Sequence, residues 1–375
     1  RGLHRLMRSK KKFILLVVLL LLLLSQIPFA YRRFKLRRLS SAIQQLNTQR
    51  TPPQPNGFKE YKGVIHVHSF LGGHSSGTFS EIISAAQANQ LQFVIMTEHT
   101  EKDFDTAAMT LKGMHGGVLF INGNEVSAEN GDRSLVLPGD VSIVAYPQEF
   151  NNWDAARING VEVYNVFTNA KQANPVIAFF DVLWSQRAYP DLIFAHYFER
   201  PDEGLKKWDQ ALTRARVTAT GGNDAHANIG ASLNDSSGKK LLGIQLDPYE
   251  VSFRLVRLHV LIEENKPLDA TSLMEAIRAG HCFIGFDFLG DSSGFAFEAP
   301  KAIQGDEIKA PAQLKIRTPV PSRIVIYKDG SLFLDESGVT SREIGIVEPG
   351  VYRAEVYLPQ LGNRLWIISN PIYVR

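Results

Sequence analysis

Six of the ten histidines in this 375-residue sequence stand at or beside the ends of short apolar runs: His66, His68, His74, His99, His196 and His226. Two acids hold equivalent places, Glu125 in Asn122-Gly-Asn-Glu125 and Asp224 in Gly221-Gly-Asn-Asp-Ala-His226. Imidazole and carboxylate donors together suit Zn, Mn or Fe. A carboxylate can bridge two ions, and Glu125 is placed for that role. The chemistry such a set offers is hydrolysis: a bound cation lowers the pKa of water to about 7 and stabilises charge on the oxygens of a phosphoester or a carbonyl. His66 and His68 are two residues apart, which on a strand predicts both rings on one side. A His-x-His pair alone is not specific, and polar groups at strand ends are often capped by backbone. The density of this set argues for a metal, because buried charges without a cation or full pairing are costly.

For these ends to meet, the strands that carry them must run side by side. Seven strand candidates follow one another at 63–68, 93–97, 118–121, 141–145, 161–165, 192–196 and 217–220. Most are β-branched or aromatic and bounded by Gly, Pro or polar clusters. The stretches 80–89 and 170–187 read as helices between them. Strand–helix alternation predicts α/β architecture with a parallel sheet. Seven such units suit a closed barrel, whose C-terminal strand ends open onto one face; an open α/β sheet is the alternative.

Taken in order, HVHS at 66–69, His74, TEH at 97–99, Glu125 and DAH at 224–226 resemble the PHP superfamily, named for polymerase and histidinol phosphatase domains, over roughly residues 61–229. VEVYN at 161–165, EAIRAGHCFIG at 275–285, and GVYRAEVYL and SNPIYVR near the end look like a branch that includes carbaryl-hydrolase-like proteins. The resemblance implies a distorted (β/α)7 barrel of PHP type holding two or three divalent ions. By position, His66, His68, Glu125 and Asp224 resemble the ligands of one ion, and His74, His99 and His226 those of another. The fullest family pattern adds histidines at the ends of strands four and five. Tyr146 and Asn165 stand there instead, so two ions are expected, with His196 a partial substitute at most. The implied reaction is hydrolysis of a small-molecule phosphoester by a metal-bridged hydroxide. His196 or Tyr146 would protonate the leaving group, and Arg200 would hold an anionic group bidentately. Arg200 could equally form a surface pair with Asp202 or Glu203. Hydrolysis of a carbamate or carboxyl ester is an alternative. So is a non-catalytic metal-binding sensor or scaffold at the membrane, which the missing third-ion histidines favour. Ser69, Ser75 and Ser76 lack the Gly-x-Ser-x-Gly elbow of a serine nucleophile. An amidohydrolase-type barrel would place a lysine at a mid-barrel strand end, and none is found there.

The remaining sequence frames this unit. Cys282 is the single cysteine, which excludes an intrachain disulfide and a Cys-based zinc site. The net charge is +3, with the basic residues crowded into the first forty positions, so no nucleic-acid partner is expected. Residues 13–31, FILLVVLLLLLLSQIPFAY, are uncharged and near the length of a bilayer-spanning helix. Pro28-Phe-Ala30 is a poor cleavage site, which favours a single-pass anchor over a cleaved signal. The usual topology then puts the main domain in the periplasm or outside the cell. Residues 32–49 are expected as a basic amphipathic helix along the membrane surface. The expected plan is 1–50 basic segment and anchor, 51–57 linker, 58–290 hydrolase barrel, and 291–375 a small antiparallel β-sandwich. Turn signals at Lys328-Asp-Gly330 and Glu348-Pro-Gly350 mark the last of these, and Trp366 and Tyr352 read as its core.

Overall fold

The computed structural model describes side chains for residues 10–153, 158–171, 173–227 and 247–375, and backbone also for 2–9, 230–234 and 240–245. The first helix, α1 (Gly2–Asn47), takes in the whole apolar run. Its apolar segment is unburied, and the helix is long and apolar enough to cross a membrane. Its second half differs from expectation. Leu36, Leu39, Ile43 and Leu46 recur at helical spacing and pack into the protein core, Leu36 and Leu46 fully. The apolar stripe of residues 32–47 therefore finds its partner in the protein core.

The strands β1 (Phe58–Val67), β2 (Phe93–Met96), β3 (Glu98–His99), β4 (Gly113–His115), β5 (Val118–Ile121), β6 (Asn124–Ser127), β7 (Arg133–Leu137), β8 (Val141–Ala145), β9 (Gly160–Asn165) and β10 (Thr218–Gly222) follow. Helices α2 (Phe79–Ala88) and α3 (Thr106–Met109) lie among the first of them. Helices α4 (Val166–Lys171), α5 (Pro175–Ser185) and α6 (Asp202–Leu212) separate β9 from β10. α2 starts on a capping box, with Thr78 and Glu81 satisfying each other's backbone N–H groups. β1, β2 and β5 pair in parallel, as do β3 and β6. β6, β7 and β8 are antiparallel, and β8, β9 and β10 parallel. The chain after β10 then returns to β1: Asn223 N–H donates to the Ile65 carbonyl (3.0 Å) and Ala225 N–H to that of His66 (3.1 Å).

One expectation needs correcting here. Residues 192–196 are not a strand; Ile193–His196 form a 3-10 turn, since a short buried apolar run reads alike in either state. Among the described residues, the pairing divides into sheets of fourteen, six and two strands, with β7 running against its neighbours.

The two-stranded sheet is β11 (Gly230–Asn234) with β12 (Lys240–Gln245). Next come α7 (Tyr249–Leu255), β13 (Arg257–Glu263), α8 (Ala270–Ala279) and β14 (Cys282–Gly285). α8 stops at Gly280, whose φ of 79° closes the helix as the sequence predicts. The C-terminal strands are β15 (Ala296–Ala299), β16 (Ala302–Ile303), β17 (Glu307–Ile308), β18 (Ala312–Lys328), β19 (Ser331–Ile346), β20 (Gly350–Leu358), β21 (Arg364–Ser369) and β22 (Ile372–Val374). The β18–β19 hairpin turns at Asp329 and Gly330, both at positive φ. β14 pairs with β13 on one side and β21 on the other, and β13 with β1. These strands thus continue the sheet that carries β1, and among the described residues the pairing marks off no separate sandwich. Asn370 fastens the junction, donating to the carbonyls of Cys282 (2.8 Å) and Ala219 (3.1 Å). Trp366 and Tyr352 are buried, as expected.

Candidate metal centre

Six of the seven expected ligands leave strand ends, and His74 comes from the loop after β1. His66 sits at a bulge in the β1–β2 register with φ of 68°. Simple alternation does not aim its ring; a left-handed residue does. Nε2 of His66 lies 3.4 Å from Glu125 Oε2 and 3.5 Å from Asp224 Oδ1. Nε2 of His68 lies 3.5 Å and 3.4 Å from the same two atoms. His99 Nδ1 is 3.4 Å from Glu125 Oε2, and His226 Nε2 is 3.4 Å from His99 Nε2. The ring of His68 stacks on those of both His99 (4.4 Å) and His226 (4.1 Å), and His74 meets His99 edge-on at 4.9 Å. All seven residues are therefore brought together.

Among the described residues, two sets have donor atoms mutually within 4.8 Å: His68, His99 and His226, and His66, His68 and Asp224. His68 belongs to both, a different division from the one the resemblance implies. The chemistry of these donors fits a divalent cation. Both ring nitrogens of His68 and Oδ1 of Asp224 are buried without a hydrogen-bond partner. Each such orphan costs about 1–3 kcal/mol. Metal bonds of about 2.1 Å at a tetrahedral angle put ligand atoms about 3.4 Å apart, which is the spacing seen. Backbone strain gathers here as well: His66, Tyr146, Asp224 and Ala227 all have positive φ.

Burial pushes the His68 imidazole down to about 3 and lowers His99 too. For Glu125, burial works upward but is outweighed by His66, leaving it at about 2; Asp224 is likewise held below the carboxylate range. Neutral imidazoles with ionised carboxylates are the protonation states that metal ligands need. His66 is raised well above its usual value: burial opposes its charge, but Glu162, Asp224 and Glu125 outweigh burial. The pocket thus attracts positive charge, whether a proton or a metal ion.

The sequence reading missed the shell behind these ligands. Fully buried Glu162 accepts from His66 Nδ1 at 2.7 Å, which turns Nε2 toward the cluster. Asn165 donates to Glu162 Oε2 (3.0 Å) and Asp224 Oδ2 (3.3 Å). A lone acid in the apolar VEVYN run was a usable signal for Glu162. Arg133, which reaches Glu125 Oε1 at 3.4 Å across the β6–β7 hairpin, carried none. Tyr146 does reach the site: its hydroxyl donates to Asp224 Oδ2 at 2.6 Å, and Arg133 lies over its ring.

The expectation that His196 and Arg200 reach the centre is corrected by their positions. His196 ends the 3-10 turn among Arg32, Asp181 and Arg364, where burial and then Arg32 push it down to about 4. Arg200 grips buried Glu355 of β20 bidentately (2.8 and 2.6 Å) and also pairs with Asp202.

No protein-family profile matches the chain, and none of the curated proteins does. Among solved structures, a two-domain protein containing a predicted PHP-like metal-dependent phosphoesterase from Bacteroides vulgatus aligns over 86% of this chain and 98% of its own, at 13% identity and a TM-score of 0.38. A superoxide reductase (neelaredoxin) from Ignicoccus hospitalis aligns over 22% of this chain and 80% of its own, at 15% identity and a TM-score of 0.16.

Proposed function

We propose that this chain is a metal-dependent hydrolase of the PHP type, most simply a phosphoesterase. Its strand ends would act as the mouth of a distorted barrel, and α1 would anchor it with the site outside the cytoplasm. The observation that carries the reading is the orphaned, buried donor set of His68 and Asp224 inside a ring of five further ligand-type side chains. His66, His68, Glu125 and Asp224, with His74, His99 and His226, would hold two ions. Bound Zn, Mn or Fe supplies Lewis acidity that activates water and offsets charge on the substrate oxygens. The chain's own groups do the rest. Tyr146, whose hydroxyl donates to Asp224 Oδ2, would be the group to protonate a leaving oxygen. Arg133, half exposed beside Glu125, would hold an anionic substrate group.

The test is metal analysis and hydrolysis of a generic aryl phosphate by the full chain in detergent. Metal binding and turnover should both vanish in His68→Gln and Asp224→Asn. A folded chain that binds no Zn, Mn or Fe would end the proposal. A metal-loaded chain inert toward phosphate, carbamate and ester panels would replace it with the sensor reading.

A further inference from the structure

A cavity of about 490 Å³ lies between α4, α5 and the metal centre. Phe167, Ala178, Phe179, Val182, Ile193 and Phe194 line it, and its inner wall is Asn223–Ala225, the segment that carries the Asp224 ligand. Phe167 stands 6.4 Å, ring to ring, from His226. The lining is mainly apolar up to the edge of a site made of charged groups, with Lys171, Gln186, Asp247 and Ser252 among its polar members. Its phenylalanine-rich part offers nothing to an inorganic or sugar phosphate.

The outer wall of the cavity is α5, and α5 is fastened to α1. Phe180 stacks on Phe29 at 4.8 Å, Asp181 takes both nitrogens of the Arg32 fork, and Trp184 Nε1 donates to Gln26 at 3.0 Å. These contacts begin only two residues beyond Leu24, the last leucine of the unburied apolar run, a rise of about 3 Å along the helix. The other face of α5 is apolar and open: Val176, Phe179 and Leu183 are 62%, 49% and 59% exposed. An open apolar face of this kind next to a membrane-spanning segment belongs in the bilayer boundary. Exposed Arg37 and Arg38 continue α1 on the polar side, where anionic headgroups would meet them.

Resting on the function proposed above, we infer that the substrate is a membrane lipid with a phosphoester headgroup. Its acyl chain enters the α4–α5 cavity sideways from the bilayer, and its phosphate reaches the metal centre. For phosphatidic acid, the oxygen of water forms a bond to phosphorus and the P–O bond to the lipid alcohol breaks. One water proton ends on that alcohol, giving diacylglycerol and inorganic phosphate.

The probe is phosphatidic acid bearing a diazirine at the end of one acyl chain, in phosphatidylcholine vesicles that carry the full chain. After irradiation, label is expected on cavity-lining Ile193 and Phe194, which are buried from the bilayer, as well as on the anchor at 13–31. Ala178→Trp, which fills the cavity, should cut the first labelling at least tenfold and leave the second unchanged; Val182→Trp serves if that variant misfolds. Label absent from Ile193 and Phe194, or label there that survives both variants, overturns the inference. Labelling needs neither metal nor turnover, so the two proposals fail separately. Aryl phosphate turned over with the cavity unlabelled overturns only the lipid assignment. A labelled cavity with every phosphoester left intact overturns the hydrolase reading, and the lipid's role as substrate with it.

Discussion

Two buried clusters in this protein use the same residue types to opposite ends. One is the ligand set around His68. The other lies where β13 pairs with β1 and β14, and joins His259, Glu60, Asp287 and Ser292. In the second, His259 Nδ1 donates to Glu60 at 2.6 Å and its Nε2 meets Ser292 Oγ at 3.0 Å. Ser292 in turn donates to Asp287 at 2.6 Å. The four form one bonded chain, Glu60–His259–Ser292–Asp287, and the two carboxylates favour the charged imidazole: burial opposes the charge, but Asp287 and Glu60 raise the His259 pKa to about 9. In the first cluster the imidazoles and carboxylates face one another at 3.4–3.5 Å, and several donor atoms have no partner. A closed ion pair and an open ligand cage differ by less than an ångström. Residue types alone would even make Ser292–His259–Glu60 a catalytic triad. The serine is wholly buried and gives its proton to Asp287, and a charged imidazole is no base.

The comparison can be broken at its strongest point first. His259→Ala leaves Asp287 buried beside only Arg257 and Ser292, and should cost about 3–5 kcal/mol in urea unfolding. Metal content should stay the same. A loss of metal with unchanged stability would show that the roles of the two clusters are reversed.

Next is pH. His259 rises from 6.5 in the unfolded chain to about 9 in the fold. At about 1.4 kcal/mol per pKa unit this is about 3 kcal/mol. The folded value is the higher one, so the stabilisation is complete below pH 6.5 and is lost as pH rises through 9. The difference in urea midpoint between the wild type and His259→Gln should shrink between pH 6.5 and 9.5. A constant difference would mean that His259 is neutral in the fold.

Third is the cage. Zn or Mn at a hundredfold excess over its dissociation constant should stabilise the wild type by about 2.7 kcal/mol and leave Asp224→Asn unmoved in thermal unfolding. The smallest effect concerns the support behind the cage. Glu162→Gln keeps the bond to His66 without the charge and should weaken metal binding by about 10–100-fold in titration calorimetry, with the fold retained.

Much of the site was legible because it is local. HVHS, TEH and DAH each join an apolar strand to polar residues at its tip, and six of the seven expected strands form. The same locality explains the misses. Residues 192–196 are apolar enough for a strand, but Ile193–His196 turn as a 3-10 segment under α1, taking His196 away from the centre. The pair of Arg200 with Asp202 was legible two residues away, but not its grip on Glu355, which stands in a fully buried stretch of β20 155 residues on. Glu162 was read only as part of a motif, since nothing in its neighbours says that its side chain faces His66.

What this sequence determined by itself is a kind of donor at each strand end, an apolar helix at the front, and a turn at Asp329-Gly330. These follow from spacing and from φ preferences that reach no further than a few residues. Tertiary structure alone decided that His68 is shared between two donor sets, that the second half of α1 lies on protein, and that α5 walls an apolar cavity against Asp224. Those outcomes depend on which distant segments meet, and on a left-handed His66 that only the surrounding sheet holds in place.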